Sequence, residues 1–164
     1  MDRTLIVNAS PIICLAKANL ADLLLAVSNE VIVPRAVMAE IMAGPPADAG
    51  RRWLESAHRI ISVSIDSIHP EVSVLQLGSG ETSVIQAGLI RRAGHPILLL
   101  DDYRARKAAA SFGLQCCGTV GLLIKAKRQG NIATVHEPLQ RLKDAGLYIH
   151  PGLIEEALKL SGES

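Results

Sequence analysis

Apolar residues fall along this chain in two rhythms. Short unbroken runs at Thr4-Leu5-Ile6-Val7, Glu30-Val31-Ile32-Val33 and Pro96-Ile97-Leu98-Leu99-Leu100 end in polar or turn residues. They read as strands buried on both faces of a parallel sheet. Residues 59–65 alternate more loosely and predict a further strand, and Gln115-Cys116-Cys117 a brief fifth. Between these runs the period lengthens to that of a helix. Ala105, Ala108, Ala109 and Phe112 stand at i, i+3, i+4 and i+7, one face of a helix over 103–112 that Gly113 stops.

Helices are also expected over 12–18 and 20–27, broken near Asn19, with Ser10 as N-cap and Pro11 in the first helical position. Pro34 opens another over 35–43, which Gly44-Pro45-Pro46 ends. Further helices are predicted over 47–57, 81–92, 120–129, 138–145 and 152–160. Strands alternating with helices predict a three-layer α/β/α fold with a five-stranded, mainly parallel sheet, in one domain spanning residues 1–164.

Composition narrows the classes of function. Aromatic residues make up 2% of the chain against 49% hydrophobic, so the core is aliphatic and base-stacking platforms are scarce. A formal net charge of +1 gives no overall basic footprint for nucleic acid, though it is silent about a local patch. Cys14, Cys116 and Cys117 lack metal-site spacing, which points to plain thiols in a reducing cytoplasm. No apolar run approaches the length of a membrane span, and Met1-Asp2-Arg3 does not open a signal peptide.

The candidate chemistry lies with a few acids. Glu40 shares a helical stripe with Val37, Ile41 and Gly44, and Glu81 precedes Val84, Ile85 and Gly88 by three, four and seven residues. Both therefore fall on faces expected to pack inward. Asp101 and Asp102 directly follow a buried strand, where open α/β sheets bind their ligands. Ionised carboxylates gathered at one end of a sheet need compensation, and a hard divalent cation such as Mg²⁺ or Mn²⁺ supplies it.

Each residue also has a plainer reading. Glu81 can complement a helix N-terminus, Asp102 and Ser10 can cap helices, and Glu40 can extend to solvent from the edge of its stripe. His95, His136 and His150 flank prolines and read as turn residues, and Arg104, Arg106 and Lys107 as a solvated helix face.

An ordered set of short motifs runs along the chain, beginning at Ile6-Val7-Asn8-Ala9-Ser10-Pro11-Ile12-Ile13-Cys14-Leu15-Ala16. It continues through Val31-Ile32-Val33-Pro34 with Val37 and Glu40-Ile41, then Leu77-Gly78-Ser79-Gly80-Glu81 with Ala87. Leu99-Leu100-Asp101-Asp102 with Ala105-Arg106, Gly118-Thr119-Val120-Gly121-Leu122-Leu123, and Ala157-Leu158 to Gly162-Glu163 complete it. In this ordered set the chain resembles the PIN-domain family, and most closely a prokaryotic branch with an Asn/Asp-x-Ser-Pro opening.

The resemblance implies Mg²⁺- or Mn²⁺-dependent ribonuclease chemistry, as in VapC-type toxins. It implies a metal site at Asn8, Glu40, Glu81 and one of Asp101 or Asp102, with Ser10 hydrogen-bonding in support. The family's first-strand position is ordinarily Asp; Asn8 offers an oxygen there without a charge.

The expected function is therefore an endoribonuclease acting on single-stranded RNA, the toxin or toxin-like half of a toxin–antitoxin pair. Glu40, Glu81, Asp101 and Asp102 would be catalytic, an antitoxin protein the partner, and a homodimer the assembly. Lys17, Arg35 or Arg104 would contact phosphates. A catalytically weakened PIN module that binds RNA or protein is the alternative. A receiver-like phosphoryl acceptor fits less well, because its acids close the first strand, where Asn8 stands.

Overall fold

The computed structural model describes residues 3–163. Five strands, β1 (Thr4–Val7), β2 (Glu30–Pro34), β3 (Ile60–Val63), β4 (Ile97–Leu99) and β5 (Gln115–Cys117), form one sheet in the order β3-β2-β1-β4-β5. Every pairing is parallel, so the mainly parallel sheet expected from the sequence is parallel throughout. The burial of each strand follows its place. Central β1, β2 and β4 bury nearly all their aliphatic side chains, whereas edge strands β3 and β5 carry Ser62 and Gln115 in solvent.

Ten α-helices cover the sheet among the described residues: α1 (Ala9–Lys17), α2 (Leu23–Ala26), α3 (Arg35–Met42), α4 (Ala49–Ser56), α5 (Pro70–Ser73), α6 (Ser79–Ile90), α7 (Tyr103–Ser111), α8 (Thr119–Arg128), α9 (His136–Asp144) and α10 (Pro151–Ser161). Layers of helix on a parallel sheet are what the alternating pattern required.

Several helix boundaries differ from expectation, for local reasons. Helix α1 starts at Ala9 with Asn8 at the N-cap, so Ser10 and Pro11 lie inside the first turn and Ser10 does not cap. The chain turns straight from β1 into α1, leaving no room for the expected two-residue link. Asn19, at φ 57°, breaks the next stretch as anticipated, and only Leu23–Ala26 beyond it is helical. Helix α5 has no periodic signature and was not expected; it is a single turn started by Pro70 and capped by His69 Nδ1, which accepts from Glu71 N.

The order of strands sets the position of any site. The chain builds β1, β2 and β3 outward in one direction, then crosses back to place β4 and β5 on the other side of β1. The reversal lies between β1 and β4, and the crevice at their carboxyl ends is where ligands bind in open α/β sheets. Asn8 follows β1 and Asp101 follows β4, joined through the backbone by Asn8 N donating to Leu99 O at 3.2 Å.

Candidate functional site

Three of the expected residues converge on this edge. Asn8 is 4% exposed, and its Nδ2 donates to Glu81 Oε1 at 3.3 Å. With the amide nitrogen turned to a carboxylate, its Oδ1 points elsewhere, and there it is buried with no hydrogen-bond donor among the described residues. A Cβ built on Gly80 would lie 2.7 Å from Asn8 Oδ1 and 2.9 Å from Glu40 Oε2. An amide oxygen and a carboxylate oxygen thus face one spot, which is open because residue 80 has no side chain. Two acceptors so placed call for a positive partner, and leaving a buried acceptor unsatisfied costs about 1–3 kcal/mol.

The elements that bring them together are simple. Asn8 directly follows β1, whose Leu5, Ile6 and Val7 are buried, and α3 packs on α6 through Val37, whose Cγ2 lies 3.6 Å from the same Gly80 position. Glu81 occupies the first turn of α6, where it also complements the helix's positive end, so the plainer reading and the site reading hold together. Its carboxylate folds back over Gly78, a position no larger residue could occupy without displacing it. Glu40 is exposed at the margin of the stripe formed by the buried Val37 and Ile41.

The aspartate pair divides. Asp101 is half-buried, and both of its carboxylate oxygens are engaged by Thr119: Oδ1 accepts from the backbone N at 2.7 Å and Oδ2 from Oγ1 at 2.6 Å. Asp102 is exposed and caps α7, its Oδ2 accepting from Ala105 N at 2.9 Å. Thr119, 1% exposed at the start of α8, is the residue that sequence reasoning missed. Its position after Gly118 at a strand–helix junction was the available signal.

Arg106 differs from the expected solvated cation. Its Nη1 donates to Leu100 O at 3.0 Å and to Asp101 O at 2.6 Å, which pins the backbone at the end of β4. Arg104 donates to Leu75 O, and Ser10 is exposed with no hydrogen bond of its side chain among the described residues.

Electrostatics argue against a thiol nucleophile. Burial pushes Cys117 up to about 11, with the charge of Asp101 adding to the effect, and burial followed by Asp101 raises Cys14 as well. Both therefore stay protonated at neutral pH.

A family model described as DUF3368, PIN domain, matches residues 4–163. The chain belongs to the PIN-domain family. A comparison with curated proteins finds no match. The PIN fold is of nuclease type, and PIN domains typically use divalent metals. Tested against that chemistry, the edge of this PIN domain offers hard oxygen donors and one orphaned buried acceptor, which fit such an ion in kind. Among the described residues, no three His, Cys, Asp or Glu side chains are gathered into a cage. Among the described residues, no helix of the PIN domain is long and apolar enough to cross a membrane.

Proposed function

We propose that the chain is a Mg²⁺- or Mn²⁺-dependent endoribonuclease acting on single-stranded RNA, and the toxin or toxin-like member of a toxin–antitoxin pair. The observation that carries this reading is the buried Asn8 Oδ1. It lacks a donor among the described residues and faces the same gap as Glu40 Oε2, while its amide nitrogen is spent on Glu81.

In this reading Asn8, Glu40, Glu81 and Asp101 hold the ion, Asn8 through a neutral oxygen. When bound, the ion polarises the phosphodiester and lowers the pKa of the attacking water. Thr119 keeps the Asp101 carboxylate in one orientation, and Gly80 leaves the space that the oxygens surround. Asp102, turned to cap α7, stands outside the ligand set or at its margin. Arg35 opens α3 directly after β2 on the same edge and is exposed, which suits a phosphate contact. Lys17 sits eight residues further along α1 than Ala9, roughly 12 Å down the helix, and is less well placed. A cytoplasmic location, an antitoxin partner, a homodimeric assembly and a single domain over 1–164 belong to the same proposal.

Mn²⁺ is expected to promote RNA cleavage that EDTA stops and that Asp101→Asn with Asp102→Asn abolishes. Undiminished cleavage by that double variant refutes the site. A second reading, a PIN module that binds RNA or protein without cutting, is favoured by the missing charge at Asn8. Calorimetry separates the two, since no heat of binding at millimolar Mn²⁺ supports the module.

A further inference from the structure

A cavity of about 290 Å³ opens beside the acid edge, lined by Asp101, Arg106, Gly118, Tyr148, His150 and Leu153 among others. It lies at the same, carboxyl end of the sheet as the site, because Gly118 follows β5 and Asp101 follows β4. The segment Tyr148–His150, which links α9 to α10, forms its far wall.

Two of its lining residues are large apolar side chains left in solvent, Tyr148 at 81% exposure and Leu153 at 43%. Neither contributes to the core, so neither is explained by folding. Of the four aromatic residues in the chain, Trp53 and Phe112 are half-buried, and the exposed Tyr103 does not line this cavity. Among the described residues, Tyr148 is therefore the one Phe, Trp or Tyr side chain that lines this cavity with Asp101. His150 Nδ1 accepts from Gly152 N at 3.0 Å, which leaves the ring proton on Nε2 as a hydrogen-bond donor.

We propose that this cavity is a nucleobase subsite, in which Tyr148 stacks on one base of single-stranded RNA whose neighbouring phosphodiester is presented to Asp101. The proposal rests on the ribonuclease reading and deepens it by naming how a scarcely aromatic protein holds its substrate. The volume lies at the bottom of the range for small-molecule sites, roughly 300–1,000 Å³, and suits one ring system better than a peptide segment. Asp101 is common to the cavity and the acid set, so a base held here fixes the strand relative to the ion site. Every base has a π-face, so the subsite tolerates sequence, and it requires an unpaired base because a duplex keeps its bases stacked.

The test is anisotropy of a short fluorescein-labelled single-stranded RNA in EDTA, where binding is read without turnover, on the wild-type chain and on Tyr148→Ala and Tyr148→Phe. Tyr148 is exposed, so both variants are expected to melt with the wild type. Tyr148→Ala is expected to weaken binding about tenfold, within the worth of one stacked base, and Tyr148→Phe to bind as the wild type does. Duplex RNA of the same sequence is expected to bind the three proteins alike. Equal single-strand affinity for wild type and Tyr148→Ala overturns the subsite while leaving the nuclease intact. So does a loss in Tyr148→Phe that matches the alanine variant, which would assign the effect to the hydroxyl. If the wild type neither binds nor cuts single-stranded RNA, the ribonuclease reading falls, and the subsite with it. If instead a protein partner's affinity drops in Tyr148→Ala while RNA binding holds, the surface serves that partner and the base subsite is excluded.

Discussion

The side-chain amide of Asn8 donates to the carboxylate of Glu81 at 3.3 Å, across 73 residues of sequence. An aspartate at position 8 could not make this bond unless one of the two acids were protonated. The amide therefore holds Glu81 in place without any cation, and it turns its own oxygen toward Glu40 and Gly80. Stability without metal and affinity for metal pull against each other at this residue.

Asn8→Asp is accordingly expected to act in opposite directions. It removes a hydrogen bond to a charged group, worth about 1.5–3 kcal/mol, and adds a like charge. The metal-free protein should melt lower by roughly 4–10 °C. Mn²⁺ affinity by calorimetry should rise at least about tenfold, since a full charge replaces an amide oxygen. A variant that melts unchanged and binds Mn²⁺ no better would remove Asn8 from the site.

Gly80→Ala sets two effects in competition. Alanine gains up to about 1 kcal/mol of helix propensity over glycine, and less in a first turn. Against this, its Cβ would come 2.7 Å from Asn8 Oδ1, on a side chain buried and tied to Glu81, and overpacking costs typically 1–3 kcal/mol. Glu40, exposed and flexible, can yield; Asn8 cannot. The expected result is a lower melting temperature together with weakened Mn²⁺ binding.

Thr119→Val keeps the shape and the backbone donor but deletes Oγ1, which holds Asp101 Oδ2 at 2.6 Å. A loss of about 1.5–3 kcal/mol in denaturant unfolding is expected, because the bond is to a carboxylate and Thr119 is buried. If Asp101 is a ligand, cleavage should fall as well, and Thr119→Ser should recover most of both.

The aspartates should separate under single substitution. Asp102→Ala removes the N-cap of α7 and should cost about 0.5–2 kcal/mol of stability while leaving Mn²⁺ binding nearly intact. Asp101→Asn should do the reverse, with metal binding and cleavage lost at a smaller cost in stability. Equal metal affinities in the two variants would return the choice of ligand to the pair as a whole.

Glu163, just after α10, ties that end of the helix to α8 and to the start of α9. Its Oε1 accepts from Lys127 Nζ at 2.6 Å and from Val135 N at 2.6 Å, and its Oε2 from His136 N at 3.0 Å. Desolvation raises the carboxyl, but the bonds from Lys127, Val135 and His136, with the charge of Lys127, outweigh it and hold the group at about 2, against an ordinary 4.5. A depressed folded-state pKa means the contribution is fully present above about 4.5 and is lost as pH falls toward 2. Acid titration followed by circular dichroism should show this loss in the wild type. Glu163→Gln should be less stable at neutral pH and flatter across the same window.

Local sequence determined the strands, the alternation with helices and hence the parallel three-layer fold, because a doubly buried strand can be written only in aliphatic residues and a helix only with its own period. The turn at Asn19 and the stops at Gly113 and Gly44-Pro45-Pro46 were equally legible, since backbone conformation is a local property. Local sequence also marked Glu40, Glu81, Asp101 and Asp102 as unusual, for each sits where apolar neighbours or a strand end make a charge costly. It could not divide the aspartates or assign Thr119, nor show that Arg106 braces the backbone instead of facing water. Those outcomes depend on which strand lies beside which. Only the reversal between β1 and β4 places Asn8 next to the end of β4, and only the packing of α3 on α6 brings Glu40 to Gly80. Hydrogen bonds and repulsions act over a few ångströms, whereas the residues that share them lie 73 positions apart at Asn8 and Glu81 and 91 apart at Asn8 and Leu99.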